Sequence, residues 1–199
     1  NNGTGLPLLL RWNGSAFIPE TLPTAQRLNA VGGAGPGIVY AVGNSSTLLR
    51  WNGSAMVAVG VGVTSNLFAV AATSPSDVWA GGTSVPDPQN TVVQVACVLK
   101  YNGTGNATLV RPLPNVTLYA ASAASASDVV FVGYDNTMTR GTMLKFSNGV
   151  YDRQVDLSTY PALRGIANLG SGTLWAVGTG GTMLRSSDGL SFTRLDSGL

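Results

Sequence analysis

The sequence predicts an all-β fold assembled from a repeated unit of four short strands, and three observations lead to this prediction. The apolar residues fall in strand-length runs that are separated by glycine, proline, serine and asparagine. Nowhere in the 199 residues do apolar side chains recur at helical spacing. Short segments also recur along the chain at nearly constant distances from one another, which is typical of a repeat architecture.

Three recurring segments, here called A, B and C, define the repeat. The A segments begin at a leucine: Leu28, Leu67, Leu118 and Leu163. The B segments end at a glycine: Gly43, Gly82, Gly133 and Gly178. The C segments centre on a leucine: Leu10, Leu49, Leu99, Leu144 and Leu184. The A leucine and the B glycine are 15 residues apart in every copy, and the next A leucine follows C after 18 or 19 residues. Only the B-to-C interval varies, from 6 to 17 residues, so the variation is confined to one loop.

A fourth apolar segment, D, follows C after an Asn-Gly pair, which favours a hairpin with a type I′ turn. Segment A is rich in alanine, glycine and valine, which suits the crowded innermost strand of a radial sheet. Four-stranded units of roughly 40–45 residues arranged radially form a β-propeller. We therefore expect one domain over residues 1–199, with a C–D hairpin at 8–19 and blades at about 28–59, 67–110, 118–156 and 163–195.

The opening unit contains C and D but neither A nor B, so the expected architecture is four complete blades plus this hairpin, in a five-bladed ring. The hairpin alone would leave open strand edges, which attract other strands. Two explanations stay open. Strands A and B come from sequence outside residues 1–199, or the hairpin docks head-to-tail on a neighbouring molecule, which gives a filament or a fixed oligomer.

The last unit carries a resemblance to a known family. Residues 172–189, which include Ser186, Asp188 and Gly189, together with Phe192 in strand D, resemble the Asp-box (bacterial neuraminidase repeat) propellers, among them photosystem II assembly factor-like propellers. The glycine comes one place earlier than in that motif, and other units carry asparagine at the aspartate position: Asn13, Asn52 and Asn102. The resemblance implies a propeller fold and no active site, because the Asp box is structural.

Composition excludes several classes of function. Only 10% of the residues are charged and the net charge is +2, too weak and scattered for a nucleic-acid footprint. The longest apolar run, residues 56–63, is far too short to span a membrane. Histidine is absent and Cys97 is the only cysteine, so we expect no disulfide, no zinc or copper site, no cofactor and a buried, inert thiol. Asp77 and Asp128, at equivalent positions, are expected to cap turns rather than to bind calcium.

Catalytic residues are not expected. A sialidase needs clustered arginines, a carboxylate acid/base and a tyrosine assisted by glutamate, whereas Glu20 is the single glutamate and lies in a connector. Basic residues repeat at one C-segment position: Arg11, Arg50, Lys100, Lys145 and Arg185. The shared position favours a common structural role, and the alternative is a basic ring that binds anionic ligands. Aromatic residues repeat one place later, where the expected role is inter-blade packing and the alternative is sugar stacking: Trp12, Trp51, Tyr101 and Phe146.

Seven Asn-X-Ser/Thr sequons exceed the number that composition alone would give, and they predict N-glycosylation in the secretory pathway. The candidate sites are Asn2, Asn13, Asn44, Asn52, Asn102, Asn106 and Asn115. Good turn chemistry at Asn-Gly-Ser/Thr accounts for part of this excess, at Asn13, Asn52 and Asn102.

The function expected from these features is that of a non-catalytic, glycosylated extracellular or cell-surface module. It would act as a structural, adhesive or self-assembling protein through protein–protein contacts, with copies of itself among the candidate partners. The alternative is a lectin-like propeller that binds carbohydrate, and the remote alternative is a sialidase-like hydrolase. In a propeller, A–B and C–D turns lie on one face, and B–C and D–A connections lie on the other. We expect partner contact at the two long B–C insertions, residues 83–94 and 134–142, opposite the sequons of the C–D turns.

Overall fold

The computed structural model describes residues 5–195, and every regular element in that range is a β-strand, as the sequence predicts. A helix that could cross a membrane is accordingly not found between residues 5 and 195. The strands form four four-stranded antiparallel sheets and two hairpins. The sheets have the strand order A-B-C-D, and we number them blades 1 to 4.

The N-terminal hairpin pairs β1 (Leu10–Trp12) with β2 (Phe17–Pro19). Blade 1 contains β3 (Leu28–Gly35), β4 (Ile38–Gly43), β5 (Leu48–Trp51) and β6 (Met56–Ala58). Blade 2 begins with β7 (Leu67–Ser74) and β8 (Asp77–Gly82). The second hairpin follows as β9 (Val85–Asp87) and β10 (Asn90–Val95). Blade 2 is completed by β11 (Val98–Tyr101) and β12 (Thr108–Val110).

Blade 3 contains β13 (Val116–Ser125), β14 (Asp128–Asp135), β15 (Arg140–Ser147) and β16 (Val150–Leu157). Blade 4 contains β17 (Leu163–Asn168), β18 (Leu174–Gly178), β19 (Met183–Ser186) and β20 (Thr193–Arg194). The A strands β3, β7, β13 and β17 contact one another in chain order. They therefore occupy the inner position of each blade, where small side chains let neighbouring backbones approach closely.

Neighbouring blades pack through alternate residues of each B strand. Tyr40 and Val42 of β4 are buried against blade 2, whereas Ala41 between them packs on the side of the N-terminal hairpin. In the same way Trp79 of β8 is buried against blade 3, and Val130 of β14 is buried against blade 4. Both faces of these B strands are covered, which explains why the B segments read as continuous apolar runs.

A β-bulge recurs in all four A strands at the residue after the repeat leucine, where the pairing with strand B shifts by one residue. A bulge bends the strand and redirects one side chain. The bulged residues are Asn29, Phe68, Tyr119 and Arg164. They lie where the A strands begin, on the face that carries the D–A and B–C connections, which we call the B–C face. The opposite face, with the A–B and C–D turns, is the C–D face.

Between residues 5 and 195, the predicted type I′ turn is found in one C–D hairpin, that of blade 3. Asn148 and Gly149 both have positive φ and join Ser147 to Val150 in a two-residue turn. In the N-terminal hairpin and in blade 1 the C–D loop has four residues, and the prediction of a type I′ turn is wrong. There the asparagine keeps negative φ, because its side-chain oxygen instead accepts backbone hydrogen bonds from residues two and three places later.

Candidate functional site

The β9–β10 hairpin is the strongest candidate for a binding element, and it extends from the B–C face of blade 2. The sequence predicts a long loop over residues 83–94, but the structure has a two-stranded sheet there, with Asp87 opposite Asn90. The reason is that Val85 and Val95, at the base, are buried in the core between blades 1 and 2. Asp87 caps the turn by accepting a hydrogen bond from the backbone nitrogen of Gln89 at 2.8 Å.

An ion pair holds this hairpin against the body of blade 2. Arg111, in the connector after β12, donates from Nε to Asp87 Oδ1 at 2.9 Å and from Nη2 to Oδ2 at 2.6 Å. Asp87 is buried, and the bidentate contact with Arg111 holds the pKa of its carboxyl below the ordinary value. Bidentate arginine–carboxylate pairs are both strong and directional. The hairpin is therefore positioned before any partner arrives.

The outer strand of the same hairpin carries apolar side chains into solvent. The exposed fraction of Val92 is 90%, and Val93 is 39% exposed. Within residues 5–195, β10 pairs with β9 alone, and its pairing is interrupted by a bulge between Asn90 and Gln94, which contains both valines. The outer edge of β10 has no strand partner there. Exposed apolar side chains on an unpaired strand edge are the features through which a protein accepts an added strand from a partner.

The second B–C insertion extends two strands instead of forming a long loop. β14 and β15 continue their pairing to Asp135 and Arg140, which leaves a four-residue turn at 136–139. Asp135 Oδ1 accepts hydrogen bonds from the backbone nitrogens of Thr137 and Met138 at 2.8 and 2.9 Å. Met138 is exposed at the tip of this turn, so both insertions present an apolar side chain on the B–C face.

The bulged residues of the A strands stack on one another across the blades. Asn29 Nδ2 donates to the carbonyl oxygen of Leu67 at 2.9 Å, and the ring centroids of Phe68 and Tyr119 are 6.1 Å apart. The guanidinium carbon of Arg164 lies 3.8 Å from the centroid of the Tyr119 ring. Sequence reasoning missed this row. The sequence pattern that could have indicated it is the residue between the leucine and the small residue of each A segment, which differs from one repeat to the next.

The basic residues of the C strands are structural, as predicted, and they do not form a ligand-binding ring. Four of the five lie directly opposite the same position of strand B: Arg50 with Tyr40, Lys100 with Trp79, Lys145 with Val130 and Arg185 with Trp175. Lys100 Nζ lies 4.7 Å from the centroid of the Trp79 ring and 3.4 Å from Asp77 Oδ1. Arg11, on the N-terminal hairpin, reaches the ring of Trp51 in blade 1.

The aromatic row of the C strands packs between blades only where a preceding blade covers it. Tyr101 and Phe146 are buried, and Trp51 is partly buried beneath the N-terminal hairpin. For Trp12 the prediction of inter-blade packing is wrong in residues 5–195, since 54% of this side chain is exposed. Trp12 occupies the position that faces a preceding blade, and it contacts Phe17 of its own hairpin, with ring centroids 5.1 Å apart.

The described carboxylates are engaged in structural contacts. Glu20 forms an ion pair with Arg11, and Asp77 accepts hydrogen bonds from Trp79 Nε1 at 3.1 Å and from Thr73 Oγ1. Asp128 lies 4.0 Å from Lys145, and its Oδ1 accepts no hydrogen bond. The prediction that Asp77 and Asp128 cap turns is therefore wrong, because Asp77 accepts from side chains instead of from the turn backbone. Between residues 5 and 195, no group of three or more His, Cys, Asp or Glu side chains is arranged to hold a metal ion. Glu20 pairs with Arg11 but does not meet the other C-strand arginines, Arg50 and Arg185, at a common centre, because they lie in blades 1 and 4.

Cys97 is fully buried at the start of blade 2's C strand, in the core between blades 1 and 2. Burial raises the pKa of its thiol, with a nearby Ser65 hydroxyl acting weakly in the other direction. The thiolate needed for nucleophilic or metal chemistry is therefore disfavoured. This agrees with the prediction of a buried residue.

The sequons lie in two environments, and Asn2 lies outside the described residues. Four asparagines are exposed: Asn13, Asn52, Asn102 and Asn106. Asn44 and Asn115 are half-buried. In the C–D turns the Oδ1 atoms of Asn13 and Asn52 accept the backbone hydrogen bonds, and this leaves each Nδ2 amide, the atom that carries an N-glycan, free of that turn.

Asp188 forms the same turn in blade 4 that Asn13 and Asn52 form elsewhere. Its Oδ1 accepts hydrogen bonds from the backbone nitrogens of Leu190 and Ser191 at 2.8 and 2.7 Å, and from Ser186 Oγ at 3.0 Å. These hydrogen bonds, mainly those from the backbone, hold the pKa of Asp188 far below its ordinary value. The carboxylate is thus committed to the turn.

No family model matches the sequence, and no curated protein matches it either. Among solved structures, the chain is similar to YCF48 from Cyanidioschyzon merolae, with 17% identity and a TM-score of 0.61, over 95% of this chain and 66% of that one. It is also similar to YCF48 bound to D1 peptide, with 12% identity and a TM-score of 0.61, over 94% of this chain and 60% of that one.

A third similar structure, of the nidogen/laminin complex, has 12% identity and a TM-score of 0.51, over 79% of this chain and 60% of that one. The chain therefore spans about two thirds or less of the length of these structures. Sequence identities this low establish a shared fold alone, and that fold is the β-propeller.

Proposed function

We propose that this chain is a non-catalytic β-propeller module that binds protein partners through its B–C face. The observation that carries the proposal is the β9–β10 hairpin, which is fixed by the Asp87–Arg111 pair and presents Val92 on the bulged segment of an edge strand. Rigid scaffolds that present a preformed element lose little conformational entropy on binding. The similar structures support the class of function, since one contains YCF48 with D1 peptide and another contains nidogen with laminin.

The proposal extends to an extracellular or cell-surface protein that carries N-glycans on its C–D face and acts in structure, adhesion or self-assembly. The exposed C–D turn asparagines Asn13, Asn52 and Asn102 support this, whereas the sequons at Asn44 and Asn115 are half-buried in connections of the B–C face, and the proposal places no glycan on them. Kinship with Asp-box propellers is part of the same proposal, and the Asp188 turn supports it. Absence of catalysis is supported by the structural engagement of Glu20, Asp77 and the C-strand arginines.

The test is a matched pair of double variants, each of which replaces two exposed apolar residues on one face with lysine. Val92→Lys with Met138→Lys alters the B–C face, and Val150→Lys with Leu169→Lys alters the C–D face. All four side chains are exposed, so both proteins are expected to fold like the wild type. A displayed random-peptide library and a glycan array are the two probes.

The expected result is that the wild type and the C–D-face variant enrich the same peptides, while the B–C-face variant loses them by about tenfold or more. Retained enrichment after Val92→Lys with Met138→Lys would refute the assignment of the face. Glycan-array binding without peptide enrichment would favour the lectin-like alternative.

A further inference from the structure

A groove of about 240 Å³ lies between the N-terminal hairpin and the inner strands of blade 1. Its lining is mainly apolar and includes Leu9, Val31, Val39, Trp51 and Met56. The charged groups in the lining, Arg11 and Glu20, form an ion pair with each other. The groove therefore suits an apolar occupant that brings no charge.

The strand that borders the groove lacks a partner on one side. Within residues 5–195, β1 pairs with β2 alone, whereas each of the other four C strands, β5, β11, β15 and β19, pairs with a B strand and a D strand. The inner edge of β1 thus presents unpaired backbone donors and acceptors. Its position in the repeat is the one that a B strand fills in every complete blade.

The opposite wall of the groove is the face of blade 1 whose counterpart in blade 2 is covered by the preceding blade. Val31 of β3 is 60% exposed, but its counterpart Val70 in β7 is only 8% exposed, because blade 1 packs on it. The outer half of the same wall is already covered, since Leu9 of the hairpin packs with Leu49 and Met56. A complete blade from another molecule therefore has no room to dock, and only the two inner strand positions are open.

We infer that this groove binds a pair of inner strands with the A–B pattern of this repeat. The B strand of that pair would pair with β1, and the two strands together with β1 and β2 would complete a further blade. The three complete interfaces within the chain supply the template. In each of them the preceding blade presents a small residue of strand A and alternate apolar residues of strand B, such as Ala30, Tyr40 and Val42. The same side chains in the groove would cover Val31 and Val39.

The experiment builds that strand pair into the chain. A copy of residues 24–47 is fused directly before Leu9 in place of residues 1–8, so that the six-residue spacing from Gly43 to Leu49 in blade 1 is reproduced between the copied glycine and Leu10. The control is the same fusion with the copied Tyr40→Asp and Val42→Asp. Amide hydrogen exchange of Leu10 and Trp12, whose N–H groups face away from β2, is followed by mass spectrometry, with β14 and β15 as the internal reference for folded protein.

The expected result is that exchange in β1 slows by about tenfold or more in the fusion and remains fast in its control, while the protein stays monomeric. The same 24-residue sequence, added as a synthetic peptide to the unaltered chain, repeats the test without any change in connectivity. Unchanged exchange of β1 in both the fusion and the peptide mixture would overturn the inference. So would a wild-type chain that sediments as a dimer or filament with β1 already protected, because the groove would then belong to a second copy.

Discussion

Trp79 and Trp175 occupy the same position of strand B in blades 2 and 4, and each lies opposite a basic residue of strand C. Trp79 is completely buried, whereas 37% of Trp175 is exposed, with Arg185 above its ring. The residue type and the repeat position are the same, but within residues 5–195 a blade follows Trp79 and none follows Trp175. Trp79 also donates a hydrogen bond to Asp77. Burial in this molecule is therefore set by the neighbouring blade as much as by the sequence of the blade itself, as in other repeat proteins.

The largest expected effect comes from removing these two indoles. Trp79→Ala should lower the free energy of unfolding by about 3–5 kcal/mol, because it opens a cavity between blades 2 and 3 and leaves Asp77 without the indole donor. Trp175→Ala should cost only about 1–2 kcal/mol, because the indole already contacts water. Equilibrium urea unfolding of both variants measures the difference. Equal losses of unfolding free energy in the two variants would contradict the conclusion that a following blade determines how much each indole stabilises the protein.

An intermediate effect is expected at the two aspartates that begin the B strands of blades 2 and 3. Asp77→Ala removes the acceptor for Trp79 and Thr73 and the partner of Lys100, and it should cost about 2–3 kcal/mol. At Asp128, Oδ1 accepts no hydrogen bond and Lys145 is 4.0 Å away, so Asp128→Ala should cost less than about 1 kcal/mol. Thermal unfolding of the two variants makes the comparison, and equal costs would show that the shared position in the repeat outweighs hydrogen bonding.

The smallest expected effect concerns acid sensitivity at equivalent turns. The folded-state pKa of Asp188 is depressed, so its contribution to stability is present above about pH 4 and is lost as the pH falls toward the folded-state value. Asp188→Asn should therefore make the fall in melting temperature below about pH 4 shallower. Asn52→Asp, at a turn with the same backbone hydrogen bonds, should make that fall steeper. If melting temperature falls with pH in both variants as it does in the wild type, neither turn contributes to acid sensitivity. Part of the dependence on pH is expected to remain in every variant, because the pKa of Asp87 is also lowered.

The architecture was predictable because the repeat spacing is a property of the chain alone. The interval from Leu28 to Gly43 recurs in each blade, and it places strands A and B in antiparallel register. The β9–β10 hairpin was not predictable, because the contact that fixes it joins Asp87 to Arg111, which is 24 residues away. No local pattern encodes such a contact.

The turn type and the stacking of the bulge row were also not predictable from the sequence, for different reasons. Asn-Gly suits either a type I′ turn or an asparagine-capped loop, and the choice follows the number of residues between the paired strand ends, which is two at Asn148 and four at Asn52. The bulges occur in strands whose residues suit regular pairing equally well. The stacking of Tyr119 with Phe68 and Arg164 depends on how neighbouring blades are placed, which is tertiary information.

Alkylation of Cys97 can measure how often blades 1 and 2 separate in the native protein. It is the only cysteine in the sequence and is completely buried between blades 1 and 2, so an alkylating reagent can reach it only when that interface opens. Under conditions in which opening and closing are fast, the labelling rate reports the population of the open form, and at high reagent concentration it reports the opening rate itself. The lifetime of a single inter-blade seam can therefore be read from the native chain, without the introduction of a label.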